Sequence, residues 1–144
     1  MPSNAIPAFG TFLKIGDGGG TENFTTIAEV KSITGPTMSA KIDDVTTHST
    51  GTPWREKLAT LLDAGTVAFA LNFIPTDATQ SHSTGLIKDF ENRTKRNFKI
   101  VFPNGASTTW AFSAFVADFK CDSPVDGVLG ANLTLNISGP PTLA

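Results

Sequence analysis

The side chains that could perform chemistry are few and widely spaced in this 144-residue sequence. His48 and His82 are its two histidines, and neither has a second histidine or a cysteine at the spacing that zinc ligands require. Asp43 and Asp44 are adjacent, but successive residues of a strand point to opposite faces, so they cannot form a catalytic dyad. Cys121 is interpreted as a small buried residue rather than as a nucleophile paired with a histidine. We therefore predict no catalytic residue, no metal site and no cofactor, and hence no enzyme.

Two segments could contact phosphate groups. The glycine-rich segment 16–20 lacks the dinucleotide-binding and P-loop patterns, so it is predicted to be the flexible tip of a hairpin. A basic cluster is interpreted as charge that complements the C-terminal end of a helix, with a nucleic-acid patch as the alternative. With 11 basic and 13 acidic residues, the net charge of −2 argues against a chain built to neutralise phosphates. The cluster comprises Arg93, Lys95, Arg96 and Lys99.

The composition is typical of a β-rich domain. A chain of this length buries about 70% of its unfolded surface, so residues 1–144 are predicted to form a single domain. Its 13 glycines and 9 prolines suit short strands joined by turns. No apolar run approaches the ~20 residues that span a bilayer, and no signal peptide is visible, so no membrane association is expected.

The strongest periodic signal lies in residues 61–75. Asp63, Ala64 and Gly65 form a turn signal, after which large apolar residues alternate strictly with small or polar ones. This alternation has the period of a half-buried strand, and Pro75 ends it. We predict a central strand whose core face consists of Val67, Phe69, Leu71 and Phe73.

Weaker patterns complete the fold prediction. Strands are predicted at 9–15, 24–34, 97–102, 108–121 and 128–138, with 24–34 as the return strand of a hairpin. The aromatic residues of 108–121 follow two registers, which predicts a bulge near Ala114 or burial on both faces. Ser83 or Thr84 can cap a helix over 85–96. The fold class is therefore mainly β, an antiparallel β-sandwich or barrel flanked by one α-helix.

The segment 38–63 is long and polar for a connection inside a compact domain. Ile42 and Val45 are its large apolar anchors before a turn at 51–53. The apolar residues after the turn repeat at helical spacing and predict a short helix over 54–62. Long connections of this kind tend to be functional, and this one points to contacts outside the monomer. The residues at helical spacing are Trp54, Leu58, Leu61 and Leu62.

Five groups of short motifs occur in an order that points to one family. They are FGTFLKIGDG at 9–18, IAEV and ITGP within 27–36, DAGTVAF at 63–69, FKIVFPNG and WAFSAFV within 98–116, and SGPPT at 138–142. Each motif consists of residues that are common in strands and turns. The order in which the motifs occur, rather than any single motif, therefore supports the resemblance. In this order the sequence resembles the major tail tube protein of long-tailed, siphovirus-like bacteriophages over nearly its whole length.

The resemblance implies a structural virion protein, synthesised in the host cytoplasm, that polymerises as stacked hexameric rings. The rings form the tail tube through which DNA is ejected. The implied fold is a tail-tube β-sandwich with a flanking helix, shared with the tube protein of type VI secretion. The implied partners are further copies of the chain, the tape measure protein, the tail terminator and the tail tip proteins. DNA is expected to pass through the lumen without sequence-specific binding.

The resemblance also gives expectations for individual residues. The segment 38–63 is expected to reach a neighbouring subunit or ring with Trp54 as its anchor, and to become ordered on assembly. The predicted hairpin 9–34 has mixed faces and is expected in or near the lumen sheet, with Glu29 and Lys31 on the lumen face. The candidates for the interface between subunits or rings are Ile42, Asp43, Asp44, Val45, Trp54, Arg55, Leu58 and Gly18.

Two other functions are compatible with the residues. A monomeric β-sandwich that binds a ligand such as carbohydrate would expose tryptophans in one cleft, whereas Trp54 and Trp110 share no motif and Trp110 is expected to be buried. A type VI secretion tube subunit would form the same rings around a protein cargo.

Overall fold

The computed structural model describes residues 3–144, and nearly all of its regular structure is antiparallel β-sheet. Ten strands and one short helix occur within these residues. In chain order they are β1 (Phe12–Gly16), β2 (Phe24–Thr26), β3 (Val30–Thr34), β4 (Ser39–Asp44), β5 (Lys57–Asp63), β6 (Thr66–Asn72), α1 (Leu86–Glu91), β7 (Lys95–Val101), β8 (Thr109–Asp122), β9 (Gly130–Ile137) and β10 (Thr142–Leu143).

Eight of the strands form one sheet, in the order β2-β1-β7-β8-β9-β6-β3 with β10 beside β8. The long strand β8 joins two halves of this sheet, because residues 109–115 pair with β7 and residues 114–122 pair with β9. Both halves contribute side chains to one core. The predicted fold class, a mainly antiparallel β structure with one helix, is confirmed. The largest core side chains include Leu13, Phe98 and Ile100 from one half and Val67, Leu71, Leu133 and Leu135 from the other.

The predicted central strand is confirmed as β6, an interior strand hydrogen-bonded to β9 on one side and to β3 on the other. Val67, Phe69 and Leu71 are buried as expected, and the half-buried Phe73 follows the strand. The turn before β6 is also confirmed. Gly65 adopts a φ of 74° and donates its N–H to Asp63 Oδ1 at 2.8 Å.

The two outermost strands, β2 and β3, are consecutive in the chain, so residues 27–29 carry the chain from one edge of the sheet to the other. Ile27 N–H donates to the carbonyl of Leu13 in β1 at 2.9 Å. The carbonyl of Glu29 accepts from Asn72 N–H of β6 at 3.0 Å. This crossing therefore closes the sheet around the core, which explains why Ile27 is buried.

The buried amide of Gln80 holds this crossing in place. Its Nε2 donates to the carbonyls of Ala28 at 2.8 Å and Asn72 at 3.3 Å, while its Oε1 accepts from Ile74 N–H at 2.8 Å. Thr79 Oγ1 accepts from Ala28 N–H at 3.1 Å. Because Gln80 is 0% exposed, loss of its amide would leave the carbonyls of Ala28 and Asn72 and the N–H of Ile74 without this partner and without water to replace it.

Helix α1 closes one end of the core through Leu86, which is fully buried. Its Asp89 accepts a hydrogen bond from Arg96 Nε of β7 at 3.0 Å, and Arg96 Nη1 donates to the carbonyl of Asp17 at 2.8 Å. Burial raises the pKa of Asp89, although the Arg96 guanidinium opposes this shift. The pair therefore ties the helix, β7 and the glycine-rich β1–β2 loop together.

Two of the predicted strands differ from the structure. Residues 24–34 do not form one return strand, since β2 pairs with β1 and β3 pairs with β6. Glu29, at a φ of 56°, reverses the chain between them. The bulge of β8 falls between Val116 and Asp118 rather than near Ala114, which lies in a regular pair with Ile137.

The two predicted helices also differ. Residues 57–63 form β5 instead of a helix, because pairing with β4 overrides the helical spacing of the leucines. The second helix is confined to Leu86–Glu91. Residues 95 and 96 begin β7, so the basic cluster lies mainly on a strand and not at a helix end.

Replacing Gln80 tests whether its side chain stabilises the crossing at residues 27–29. We expect Gln80→Leu to lower the free energy of unfolding by about 3 kcal/mol, because buried backbone groups lose their hydrogen bonds. Ser83→Ala, at an exposed position of the same segment, is the control and should change it by less than about 0.5 kcal/mol. Urea denaturation measures both variants. Equal stability of the two would contradict this role for Gln80.

Candidate assembly interface

The segment 38–63 forms a β-hairpin whose two strands make a sheet of their own, separate from the main sheet. β4 and β5 pair antiparallel, with Asp43 opposite Leu58, and residues 45–56 form the tip. All seven residues of β5 are exposed. An isolated two-stranded hairpin is at most marginally stable in water, so a hairpin this exposed needs a further surface to pack on.

Large apolar side chains project from this hairpin into solvent. Trp54 is 79% exposed, Leu61 75% and Leu62 82%. Exposed apolar patches larger than a few hundred Å² usually mark interaction sites in proteins. The hairpin therefore has the surface expected of an interface. Met38, Ile42, Val45 and Leu58 are also among its exposed apolar residues.

The charged residues of the hairpin shape it locally. Arg55 Nη1 donates to Asp44 Oδ2 at 2.9 Å, and Asp43 Oδ2 accepts from Thr60 Oγ1 at 3.0 Å. Hydrogen bonds from Thr46 hold the pKa of Asp44 below its ordinary value. Exposed ion pairs of this kind contribute little stability, so they do not replace a packing surface.

Seven of the eight residues predicted for the interface lie on this hairpin, and Gly18 does not. Gly18 lies in the β1–β2 loop, where it has a φ of 77° and stands next to the Arg96 guanidinium. Leu61 and Leu62 are missing from the predicted set, although they are the hairpin's most exposed leucines. Their sequence signal was present: consecutive leucines in a strand point to opposite faces, so one core cannot bury both.

In the sheet half β3-β6-β9-β8, the outward-facing paired positions of β3, β6 and β9 carry no charged side chain. We name this outward surface of the three strands the neutral face. Cross-strand partners share a face, so the register defines its members. The residues between them, such as Phe69 and Leu133, point into the core. The neutral face consists of Ser32, Thr34, Thr66, Ala68, Ala70, Asn132, Thr134 and Asn136.

Charges border the neutral face. Asp118 and Lys120 of β8 lie opposite Thr134 and Asn132. Lys31, predicted for the lumen, lies at the bulge of β3, and its Nζ is 3.9 Å from the position that a Cβ on Gly130 would occupy. Glu29, the other lumen candidate, is exposed at the crossing between β2 and β3. Both residues therefore lie at the same end of this sheet half.

The residues that could perform chemistry do not lie close together. His82 Nδ1 lies 2.7 Å from Glu91 Oε1 on the surface, and His48 lies in the hairpin tip. Cys121 is exposed, which corrects the interpretation of a small buried residue, and its Sγ lies 3.9 Å from Ser123 Oγ. Within residues 3–144, no group of three or more His, Cys, Asp or Glu residues could hold a metal ion.

A protein-family model matches residues 16–144, and it describes the lambda phage tail tube protein. This match covers most of the chain. The chain belongs to the tail tube protein family. As a tail tube protein, it is a structural subunit of the tail tube and a component of the virion. The resemblance inferred from the ordered motifs is thereby confirmed, whereas no curated protein matches this sequence.

Solved structures share the fold of this tail tube protein. The tail of an empty gene transfer agent particle, refined with C6 symmetry, has a TM-score of 0.71 at 19% identity, covering 92% of this chain and 94% of that one. A sheath/tube terminator structure of an extracellular contractile injection system has a TM-score of 0.72 at 17% identity, covering 100% and 99%. The SPP1 tail tube has a TM-score of 0.70 at 12% identity, covering 95% and 78%.

Across residues 3–144 of this tail tube protein, no helix has the length and apolar character needed to cross a membrane.

The two tryptophans should differ in their effect on the stability of this tail tube protein. Trp54 is largely exposed, so Trp54→Ala should change the free energy of unfolding of the monomer by less than about 0.5 kcal/mol. Trp110, expected to be buried, is half-buried and packs against the core, and Trp110→Ala should cost roughly 3 kcal/mol. Urea denaturation followed by circular dichroism measures both. A large loss for Trp54→Ala would show that the hairpin packs on its own subunit.

Proposed function

We propose that this tail tube protein assembles as rings of six subunits, which stack into a tube that conducts DNA and binds no particular sequence. The exposed β4–β5 hairpin is the observation that carries this proposal, because its apolar side chains need a surface that a second subunit can supply. The six-fold number is supported by the C6 symmetry of the similar gene transfer agent tail. The whole chain, 1–144, acts as one tube domain with an inter-subunit element at 38–63.

The hairpin is proposed as the main contact between subunits. Trp54, Leu61 and Leu62 would be buried against another copy, and the transfer of their apolar surface from water stabilises the assembly. A fully buried side chain of this kind contributes about 1.5–3 kcal/mol. Trp54 is the proposed anchor, since tryptophan dominates many interfaces. The hairpin would gain fixed structure in the tube.

The neutral face is proposed as the wall of the lumen. β3 pairs with β6 alone, and residues 116–122 of β8 pair with β9 alone within the described chain, so both edges of this sheet half are free. The four strands alternate in direction. In a ring of equally oriented subunits, β3 of one copy would therefore run antiparallel to β8 of the next. The β3 edge carries Lys31, and the β8 edge carries Asp118 and Asp122 with Lys120 between them, so the β8 edge has the acidic excess that Lys31 would face.

Such a ring would have a lumen wide enough for a DNA duplex. Six subunits with four strands each, at about 4.8 Å per strand, give a circumference of at least ~115 Å and a width of ~37 Å. A duplex is roughly as wide as the sum of its two groove depths, about 16 Å or slightly more. A wall rich in lysine would pair with phosphates and retain the DNA. The serine, threonine, asparagine and alanine side chains of the neutral face offer no such cations, and the one lysine that β8 adds to this side of the sheet, Lys120, lies between Asp118 and Asp122 on the same strand.

The remaining expectations belong to the same proposal. The protein would act without catalysis and without a cofactor, and its partners would be further copies, the tape measure protein, the tail terminator and the tail tip proteins. The similarity to a tube terminator assembly and to a baseplate supports contacts with tail components. No membrane partner is proposed. Membership in the tail tube protein family favours this function over a carbohydrate-binding module or a type VI secretion tube.

Removing the proposed anchor tests the hairpin contact. Trp54→Ala should leave a folded monomer that polymerises at least tenfold less, because its apolar contact with the neighbouring subunit is lost. His48→Ala, in the same hairpin tip, is the control and should polymerise normally. Electron microscopy and sedimentation at matched concentration measure the tubes. Normal tube yield for Trp54→Ala would refute the proposed anchor.

Hydrogen exchange on monomer and tube tests the hairpin and the edges together. The amides of 38–63, 30–34 and 116–122 should exchange more slowly in the tube, because polymerisation packs the hairpin and pairs the free edges. The interior strand β9 serves as an internal control, since both of its neighbours are present in the monomer. Equal protection of 38–59 in both states would remove the basis for the hairpin contact.

A further inference from the structure

The two ends of the subunit differ in charge. Residues 3–13, 32–40, 100–114 and 134–144 contain no charged side chain. Strand pairing brings 3–13, 100–114 and 134–144 to one end of the subunit, since Phe12 pairs with Val101 and Leu143 pairs with Trp110. We name this the uncharged end. The opposite end carries the end of β8 and the β8–β9 loop.

An apolar groove of about 720 Å³ opens at the uncharged end, where the hairpin leaves the body of the subunit. The hairpin base forms one side of the groove with Met38 and Leu62. The body forms the other side, with residues that include Trp110, Ile137 and Pro140. Asp63 is the one charged residue that lines it, and its carboxylate is already engaged by Gly65 N–H at 2.8 Å.

The β8–β9 loop, residues 123–129, protrudes from the opposite end. All seven of its residues are exposed. Val125 is fully exposed, Val128 is 69% exposed and Leu129 is 37% exposed, so the loop presents three aliphatic side chains to solvent, of which the two valines are the most exposed. Its one charged residue is Asp126. A loop that only joins β8 to β9 does not require valines at these positions. Exposed aliphatic residues are better explained by a contact with another subunit.

The loop and the groove lie at opposite ends of the same strand. β9 begins at Gly130, directly after the loop, and ends at Ile137, which lines the groove. Gly130 and Ile137 are seven residues apart, and at a rise of about 3.4 Å per residue they lie roughly 24 Å from each other. In a stack of equally oriented rings, the loop end of one ring faces the groove end of the next. Repetition of such a head-to-tail contact extends a filament.

We propose that the β8–β9 loop of one subunit docks Val125 and Val128 into the apolar groove of a second copy in the adjacent ring. This contact rests on the proposed function, and it gives the stacking of rings a specific surface. A seven-residue loop cannot by itself supply the roughly 1,200 Å² that a stable interface buries. The groove is continuous with the hairpin, however, so loop and hairpin form one interface.

Charge is compatible with this contact. The loop is acidic, with Asp126 within it and Asp122 before it. Lys41 follows Ala40, a residue that lines the groove, and its side chain is 67% exposed. The Lys41 ammonium already lies 3.7 Å from Asp43 Oδ1, so a loop carboxylate that approached Lys41 would compete with this exposed pair. Charges at the rim of an interface guide orientation more than they add affinity.

Charge insertion in the loop separates ring formation from ring stacking. Val125→Asp should fold and form single rings, but its yield of tubes should fall at least tenfold, because a carboxylate would enter an apolar groove. Val125→Ile should stack normally. Thr76→Asp places the same charge at an exposed position of the same end and should also stack normally. Electron microscopy distinguishes rings from tubes. Normal tubes from Val125→Asp would overturn the docking and leave the proposed function intact.

Disulfide trapping identifies the partner surface directly. In a Cys121→Ser background, Val125→Cys and Met38→Cys should give an oxidised ladder of multimers from tubes and none from monomers, since the two sites are too far apart within one subunit. Val125→Cys with Gly105→Cys, an open position at the uncharged end outside the groove, is the matched control. A ladder no stronger than this control in well-formed tubes would overturn the docking. Failure of the unaltered protein to form rings or tubes would overturn the proposed function as well.

Discussion

The three-residue crossing between β2 and β3 is the constraint on which the rest of the structure depends. It joins the two edges of the main sheet, and the side chains of Gln80 and Thr79 hydrogen-bond the carbonyl and the N–H of Ala28 within it. Once the sheet is closed in this way, the core is complete without residues 38–63. The β4–β5 hairpin is therefore excluded from its own core, and its apolar side chains are available to another subunit.

Because the sheet closes around the core, its inner and outer surfaces differ in amino-acid composition. The core-facing residues of β6 and β9 are apolar, and the outward-facing ones form the neutral face. On the other half, Lys14 and Lys99 lie directly opposite each other on the outward side, where like charges repel. A tube that conducts DNA is better lined by the neutral face than by this pair of lysines, because cations on the wall would hold the phosphates.

Much of the fold could be predicted from sequence, because strict alternation reports burial directly. Val67, Phe69 and Leu71 alternate in the sequence and are buried in the structure. The prediction failed where two periods compete. Leu58, Leu61 and Leu62 have helical spacing, yet they lie in β5 because β4 offers backbone partners. Residues 24–34 have two mixed faces and no turn signal, and only the tertiary pairing shows that they are two strands. The hairpin was identified as the candidate site from its length and polarity, whereas the groove at its base depends on Trp110 and Pro140, which no local pattern connects to it.

Helical reconstruction of tubes assembled from the purified chain by cryo-electron microscopy tests the central claim most directly. We predict that the apolar side chains of the β4–β5 hairpin are buried against another subunit and that the neutral face lines the lumen. A reconstruction in which the hairpin packs on its own subunit or lies free in solvent, or in which Lys14 and Lys99 line the lumen, would contradict it.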